Sequence, residues 1–138
     1  MSDMNEWNQQ IIAEFRANDG VVGGQLAGMP LLLLHHTGAK SGLDRVNPLA
    51  YQRIGNSVAV FASKGGAPTN PDWYYNLVAN PNVTVEIGTE THSATARVAD
   101  DEERARIWST QMTTFPNFAE YEEKAAPRKI PVVVLDLD

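Results

Sequence analysis

Ser63-Lys64-Gly65-Gly66-Ala67-Pro68-Thr69-Asn70-Pro71-Asp72-Trp73-Tyr74-Tyr75-Asn76 follows an apolar run, Val58-Ala59-Val60-Phe61-Ala62, that reads as a buried strand. It leads into a helix whose start is signalled by Asn70 as N-cap and Pro71 at the first helical position. A strand ending in Ser63-Lys64-Gly65-Gly66 before a helix N-terminus offers a hydroxyl, a cation and backbone N–H groups that no side chain shields. An anion or a flat polar ligand suits such a place. The plainer alternative is a loop with a solvated lysine.

Working outward, the strands come as hairpins. Pro30–Thr37 is apolar on both faces, hence an internal strand. Val46–Ile54 and Ser57–Ala62 flank a two-residue Gly55-Asn56 turn, and Val83–Ile87 and Thr91–Val98 flank Gly88-Thr89. Ile130–Leu137 closes the set. Helices are expected at the N-terminus, with Trp7, Ile11, Ile12 and Phe15 on one face, and from Pro71 to Ala79. A third starts at a capping box of Asp100 and Glu103 and buries Ala105, Trp108, Met112 and Phe115. Pro116 begins a short fourth. Six mainly antiparallel strands with helices outside them predict an α+β fold of the split β-barrel kind, one domain over 1–138 with a helix and loop over 1–29.

Composition narrows the function. The chain has 138 residues, a net charge of −6 and no cysteine, which excludes disulfides and thiol nucleophiles. The charge is uneven. Residues 38–64 carry four cations (Lys40, Arg45, Arg53, Lys64) against Asp44 alone, whereas residues 86–123 carry nine acids against three arginines. An acidic chain with one basic segment argues against nucleic acid and for a small anionic ligand. The N-terminus shows no basic region followed by an apolar stretch, and the run Leu31–Leu34 is too short to span a bilayer. The expectation is a cytoplasmic protein, at most touching the inner membrane face through its first helix.

Gly38-Ala39-Lys40-Ser41-Gly42 lacks the glycine that a phosphate loop needs directly before its Lys-Ser, so a nucleotide triphosphatase is not indicated. As a hairpin turn carrying Lys40, Ser41 and Arg45 it can still grip an anion. His35 and His36 are adjacent on a strand, point to opposite faces and cannot share a metal, so no metal site is expected. Neither GxSxG nor GxGxxG occurs, which disfavours hydrolase and Rossmann chemistry.

Three motifs in order, Gly38-x-Lys40-Ser41-Gly42-x-x-Arg45-Val46-Asn47-Pro48-Leu49, Ala62-Ser63-Lys64-Gly65-Gly66 and Asn70-Pro71-x-Trp73-Tyr74-x-Asn76-Leu77, resemble the deazaflavin-dependent nitroreductase family over nearly the whole chain. The resemblance implies a split barrel that binds coenzyme F-420, an 8-hydroxy-5-deazaflavin, in preference to FMN. It implies that Lys40, Arg45 and Lys64 hold the coenzyme's phosphate and carboxylates, while Pro48, Ala62, Ser63 and Asn76 surround its ring. Ser41, Asn47, Gly65, Gly66 and Trp73 complete the cofactor set. Where nitroimidazole- and menaquinone-reducing members carry tyrosines, this chain has Phe115 and Phe118, with Tyr121 retained. Phenylalanine donates no proton. These three are the expected substrate lid, and Ser63 and Tyr121 the expected catalytic residues, with water as the rival proton source. The implied activity is hydride transfer from the reduced coenzyme to an electron-poor planar acceptor: an enone, lactone, quinone or nitro compound. The alternative is a non-catalytic carrier of the coenzyme. A monomer or homodimer is expected.

Overall fold

The structure, a computed structural model, describes residues 2–18, 20, 30–63 and 69–137, the side chains of residues 2–7 and Asn117 excepted. Lys64, Gly65 and Gly66 of the anchoring stretch, and the Trp7 side chain, lie outside the described residues.

The elements are α1 (Ser2–Ala17), β1 (Leu31–Thr37), β2 (Asp44–Ile54), β3 (Ser57–Phe61), α2 (Asp72–Ala79), β4 (Asn82–Ile87), β5 (Glu90–Val98), α3 (Asp101–Thr114), α4 (Asn117–Ala125) and β6 (Val132–Leu137). The strands close into an antiparallel barrel in the order β1-β2-β3-β6-β5-β4. The β2–β3 turn takes Gly55 to φ +59°, a conformation that side chains with a Cβ resist.

Period-two alternation sorts the strand residues between two apolar environments. Leu32, Leu34, Val58, Val60, Val85, Val133 and Leu135 face inward, and Trp73 and Leu77 of α2 complete that interior core. Ala59, Phe61, Val132 and Val134 face outward beneath Ile107, Trp108 and Phe118 of α3 and α4. Leu31 and Leu33 face outward under Ile11, Ile12 and Phe15 of α1. A fully buried Val or Leu contributes about 1.5–3 kcal/mol, so both faces of these runs stabilise the barrel, one from inside and one beneath the helices.

Three local expectations need correction. Pro71, not Asn70, is the N-cap of α2, which begins at Asp72 without a side-chain cap; the Asn70 Oδ1 accepts instead from Arg128. The buried face of α3 is Ile107, Trp108 and Gln111, and Ala105 is exposed, because the Gln111 amide takes a core position by accepting from Gln52. The last strand starts at Val132; Ile130 is buried, but before the strand and the intervening Pro131. The α3 start is as expected: Asp100 is the N-cap and its side chain accepts from the Glu103 N–H at 2.8 Å.

Candidate active site

The β1–β2 turn is built by its own backbone. Gly38 N–H donates to the Leu43 carbonyl (2.9 Å), Gly42 N–H to the Gly38 carbonyl (3.0 Å), and Leu43 N–H to Ser41 Oγ (3.2 Å). Gly42 sits at φ +70°, where the chain reverses. A Cβ on Gly38 would lie 2.4 Å from Ser41 Oγ, so the turn has no room for a side chain there. Lys40, Ser41 and Arg45 are exposed on it. Lys40 and Arg45 have no acidic partner among the described residues, whereas Arg16, Arg97, Arg104, Arg106 and Lys129 pair with carboxylates at 2.6 to 3.9 Å. Two uncompensated cations on one rigid turn attract an anion. Arg53, the other nearby cation in sequence, donates to the Gly55 carbonyl at the β2–β3 turn and takes no part.

Behind the turn stands α2. Its face at i, i+3, i+4 is Trp73, Asn76 and Leu77, all buried, which makes Trp73 a barrel plug at 6% exposure rather than a ligand platform. Asn76 is 7% exposed and engaged on both ends: its Oδ1 accepts from Ala39 N–H at 2.9 Å and its Nδ2 meets His36 Nδ1 at 3.0 Å. His36 Nε2 meets Asn47 Oδ1 at 2.7 Å. Asn76 and Asn47 therefore frame the turn from inside.

The next group gathers along β2. Its pairing with β1 runs from Asp44 to Ala50, but its pairing with β3 covers only Tyr51–Ile54 against Ser57–Val60. Extending that register would set Leu49 against Ala62 and Pro48 against Ser63, yet no ladder forms there. One edge of β2 from Arg45 to Ala50 is consequently open among the described residues, facing the chain that follows β3. Pro48 and Ser63 are half-buried on the two sides of this opening, and the Ser63 hydroxyl makes no hydrogen bond to another described residue. Ala62 is fully buried, its side chain in the interior core.

A residue not anticipated from the sequence holds this corner. Arg128 Nη1 donates to the Ala62 carbonyl (3.1 Å) and to Asn70 Oδ1 (2.6 Å), and its Nη2 to the Ser63 carbonyl (3.0 Å). Ala62 N–H donates to the Pro131 carbonyl at 3.0 Å. The segment before β6 thus grips the end of β3 and the approach to α2 together. A lone arginine after a helix carries no local signature of this; the signal is tertiary.

The lid residues divide. Phe118 is 4% exposed and packs edge-to-face against Phe61 (5.3 Å), Trp108 (5.9 Å) and Tyr121 (5.2 Å), so it is a core residue and not a mobile cover. Phe115 and Tyr121 are half-buried at the edge of that cluster. Since Phe61 lies two residues before Ser63, α4 is joined to the end of β3 through these rings. The two histidines part as expected: His36 turns inward, while His35 lies outside against Glu86 at 2.5 Å. Arg16 of α1 holds the same carboxylate through Nη2 (2.7 Å) and Nε (3.2 Å). That guanidinium, with His35, keeps the Glu86 carboxyl below the usual carboxylate range against the opposing effect of burial. No helix among the described residues is long and apolar enough to cross a membrane.

Comparison with known proteins bears on the family and the fold. The model of a family described as F420H(2)-dependent quinone reductase matches residues 7–136. An F420H(2)-dependent quinone reductase of Mycobacterium tuberculosis is 39% identical over 127 residues, spanning 89% of this chain and 85% of its own. A solved F420-H2 dependent reductase superposes with a TM-score of 0.70 at 41% identity, covering 77% of this chain and 93% of its own. A second solved structure, described only as a domain-swapped dimer, gives a TM-score of 0.71 at 38% identity over 97% of this chain and 98% of its own. The deazaflavin dependence and the split barrel implied by the resemblance both stand, the matching family is described by quinone rather than nitro reduction, and the chain belongs to the F420H(2)-dependent quinone reductase family.

Proposed function

We propose that this protein is an oxidoreductase that passes a hydride from reduced coenzyme F-420 to a quinone-type acceptor, acting as a single functional unit over residues 1–138 and as a homodimer. The observation that carries the reading is the pair of uncompensated cations, Lys40 and Arg45, on a rigid turn beside the open edge of β2. The donor set fits the group: guanidinium and ammonium suit a phosphate and carboxylates, and free backbone groups on a strand edge suit the polar rim of a flat ring. When bound, the reduced coenzyme supplies the hydride.

The chain's own part is binding, orientation and proton supply. Lys40, Arg45 and Lys64 hold the anionic tail, with Ser41, Gly65 and Gly66 beside them. Pro48 and Ser63 form the ring's bed, and Asn47, Ala62, Trp73 and Asn76 serve it from behind as framing residues. Phe115 and Tyr121 border the acceptor. Reduction of a quinone, enone or nitro acceptor leaves an oxyanion that takes its proton from Tyr121 or from water. Tyr121→Phe separates these: a loss of about 10²-fold or more in turnover identifies Tyr121 as the acid, and unchanged turnover assigns water.

The primary test is titration of the full chain with F-420 and with FMN, followed by fluorescence, and then oxidation of the reduced coenzyme with menadione. Tighter binding of F-420 and quinone-dependent oxidation are expected. Equal or preferential FMN binding would overturn the cofactor assignment, and F-420 binding without turnover on any quinone, enone or nitro acceptor would leave a carrier.

A further inference from the structure

His36 lies inside the barrel at 4% exposure, two residues beyond Leu34 on the same face. Its two hydrogen-bonding neighbours, Asn76 and Asn47, and the Ala39 N–H beyond Asn76 dictate one another. The Ala39 N–H can only donate, so the Asn76 atom it meets at 2.9 Å is the oxygen. The Asn76 nitrogen then faces His36 Nδ1 at 3.0 Å and, being a donor too, requires a lone pair there. The ring proton is left on Nε2, which donates to Asn47 Oδ1 at 2.7 Å. The result is a one-way chain, Ala39 to Asn76 to His36 to Asn47, with every member satisfied.

Each end of the chain reaches a cation-bearing residue. Ala39 precedes Lys40. Asn47 lies two residues along β2 from Arg45, and Arg45 is the cross-strand partner of His36 itself. We infer that His36 is a positioning residue for the coenzyme's anionic tail: its neutral, Nε2-protonated ring fixes the turn from Gly38 to Arg45 between α2 and β2, and so aims Lys40 and Arg45. The inference rests on the proposed coenzyme reading and deepens it.

A second proton on His36 would make Nδ1 a donor facing the Asn76 donor. Turning the Asn76 amide over would only move the clash to Ala39 N–H. No arrangement of the three satisfies a charged ring. The surroundings keep it neutral: burial pushes its pKa down, the bond to Asn47 opposes this, and the nearby Arg45 guanidinium pushes it down further. Asp44 lines a cavity of about 270 Å³ with His36, while β4 offers that cavity only uncharged Asn82, Val83 and Thr84, and α2 offers His36 the neutral Asn76.

The test compares two ligands, coenzyme F-420 and the deazaflavin riboside that lacks its phosphate and carboxylates, on the full chain. His36→Phe should weaken F-420 binding roughly ten-fold and riboside binding less than about two-fold, and His36→Gln, which restores an acceptor and a donor, should recover most of the loss. Equal losses for both ligands, or none, overturn the inference, since a merely structural histidine would not discriminate by tail. If His36→Phe does not fold, ¹⁵N NMR of the wild-type chain decides. His36 must show the Nε2–H tautomer, and the Asn76 side-chain amide must shift with F-420 and not with the riboside. An Nδ1–H tautomer or an unmoved amide overturns it. Wild-type protein that binds neither ligand would instead sink the coenzyme reading, and this inference with it.

Discussion

Replacing Arg128 by Met removes a clamp and leaves the aliphatic stem in place. Among its bonds to described residues, the guanidinium donates to the carbonyls of Ala62 and Ser63 and to Asn70 Oδ1, at 3.1, 3.0 and 2.6 Å. Hydrogen bonds to charged groups contribute about 1.5–3 kcal/mol each when buried, but Arg128 is only half-buried and water can refill part of the site. About 1 kcal/mol per bond, hence about 3 kcal/mol, is the reasonable sum. Unfolding entropy of about 2.1 cal/mol/K per residue gives about 0.29 kcal/mol/K for this chain, so the midpoint should fall by about 10 °C. Arg128→Lys keeps the charge but not the fork, and should recover less than half of that. Because Ala62 and Ser63 are the carbonyls released, F-420 binding should weaken in the folded variant as well. Thermal unfolding by circular dichroism and a fluorescence titration read both effects. A midpoint within about 2 °C of wild type together with unchanged affinity would refute the claim that this side chain sets the end of β3.

Phe118→Ala should destabilise by about 3–5 kcal/mol as a core deletion, a fall of about 10–17 °C in melting midpoint; a variant that melts like wild type but changes acceptor preference would restore Phe118 to the lid. Lys40→Ala and Arg45→Ala should each weaken F-420 by on the order of 1–3 kcal/mol without moving the melting midpoint, and the wild-type affinity should fall with salt; salt-independent binding that survives both changes would remove the tail site from this turn. Glu86 ionises more readily folded than unfolded, so its contribution is present above its unfolded pKa and is lost as pH falls through the folded one. Arg16→Met should therefore flatten the acid limb of the stability profile between about pH 5 and about pH 3, and an unaltered limb would show that α1 is not docked through this pair.

The fold was legible because its signals are local. Continuous apolar runs at Val58–Phe61 and Val132–Leu135, a two-residue turn at Gly55-Asn56 and a capping box at Asp100 each act within a few residues. The errors fall where distant chain intervenes. Asn70 has the chemistry of an N-cap, but Arg128, 58 residues away, takes its oxygen. Gln111 looks like a surface residue until Gln52, 59 residues away, supplies its partner. Trp73 and Asn76 share the cofactor motif, while their i, i+3 spacing with Leu77 next in line is the ordinary mark of a buried helix face, which is where the structure has them. His36 continues the Leu32–Leu34 face into the barrel, where a buried imidazole needs a partner on each ring nitrogen. Its partners depend on the β1–β2 register and on where α2 docks, neither of which is written locally.

A motif therefore mixes two populations of residue that the structure separates by direction. Ala62, Trp73, Asn76 and Phe118 point into packed or hydrogen-bonded interior, and they can reach a ligand only through what they hold in place. Lys40, Arg45, Pro48 and Ser63 point to solvent or to the open β2 edge. Changes in the first group should alter stability and coenzyme affinity together and treat all acceptors alike, since every acceptor meets the same frame. Discrimination among quinones, enones and nitro compounds needs groups that touch the acceptor and not the frame. Of the lid residues expected from the sequence, only Phe115 and Tyr121 remain at the edge of the packed cluster with part of their surface in reach. Adding a hydroxyl at Phe115 changes that edge by one donor while leaving Phe118 and the ring stack beneath it intact. On the proposed reading acceptor choice falls to this rim of half-buried aromatics, and Phe115→Tyr should then change the ratio of kcat/KM between a quinone and an enone, whereas an unchanged ratio would take the acceptor away from this edge.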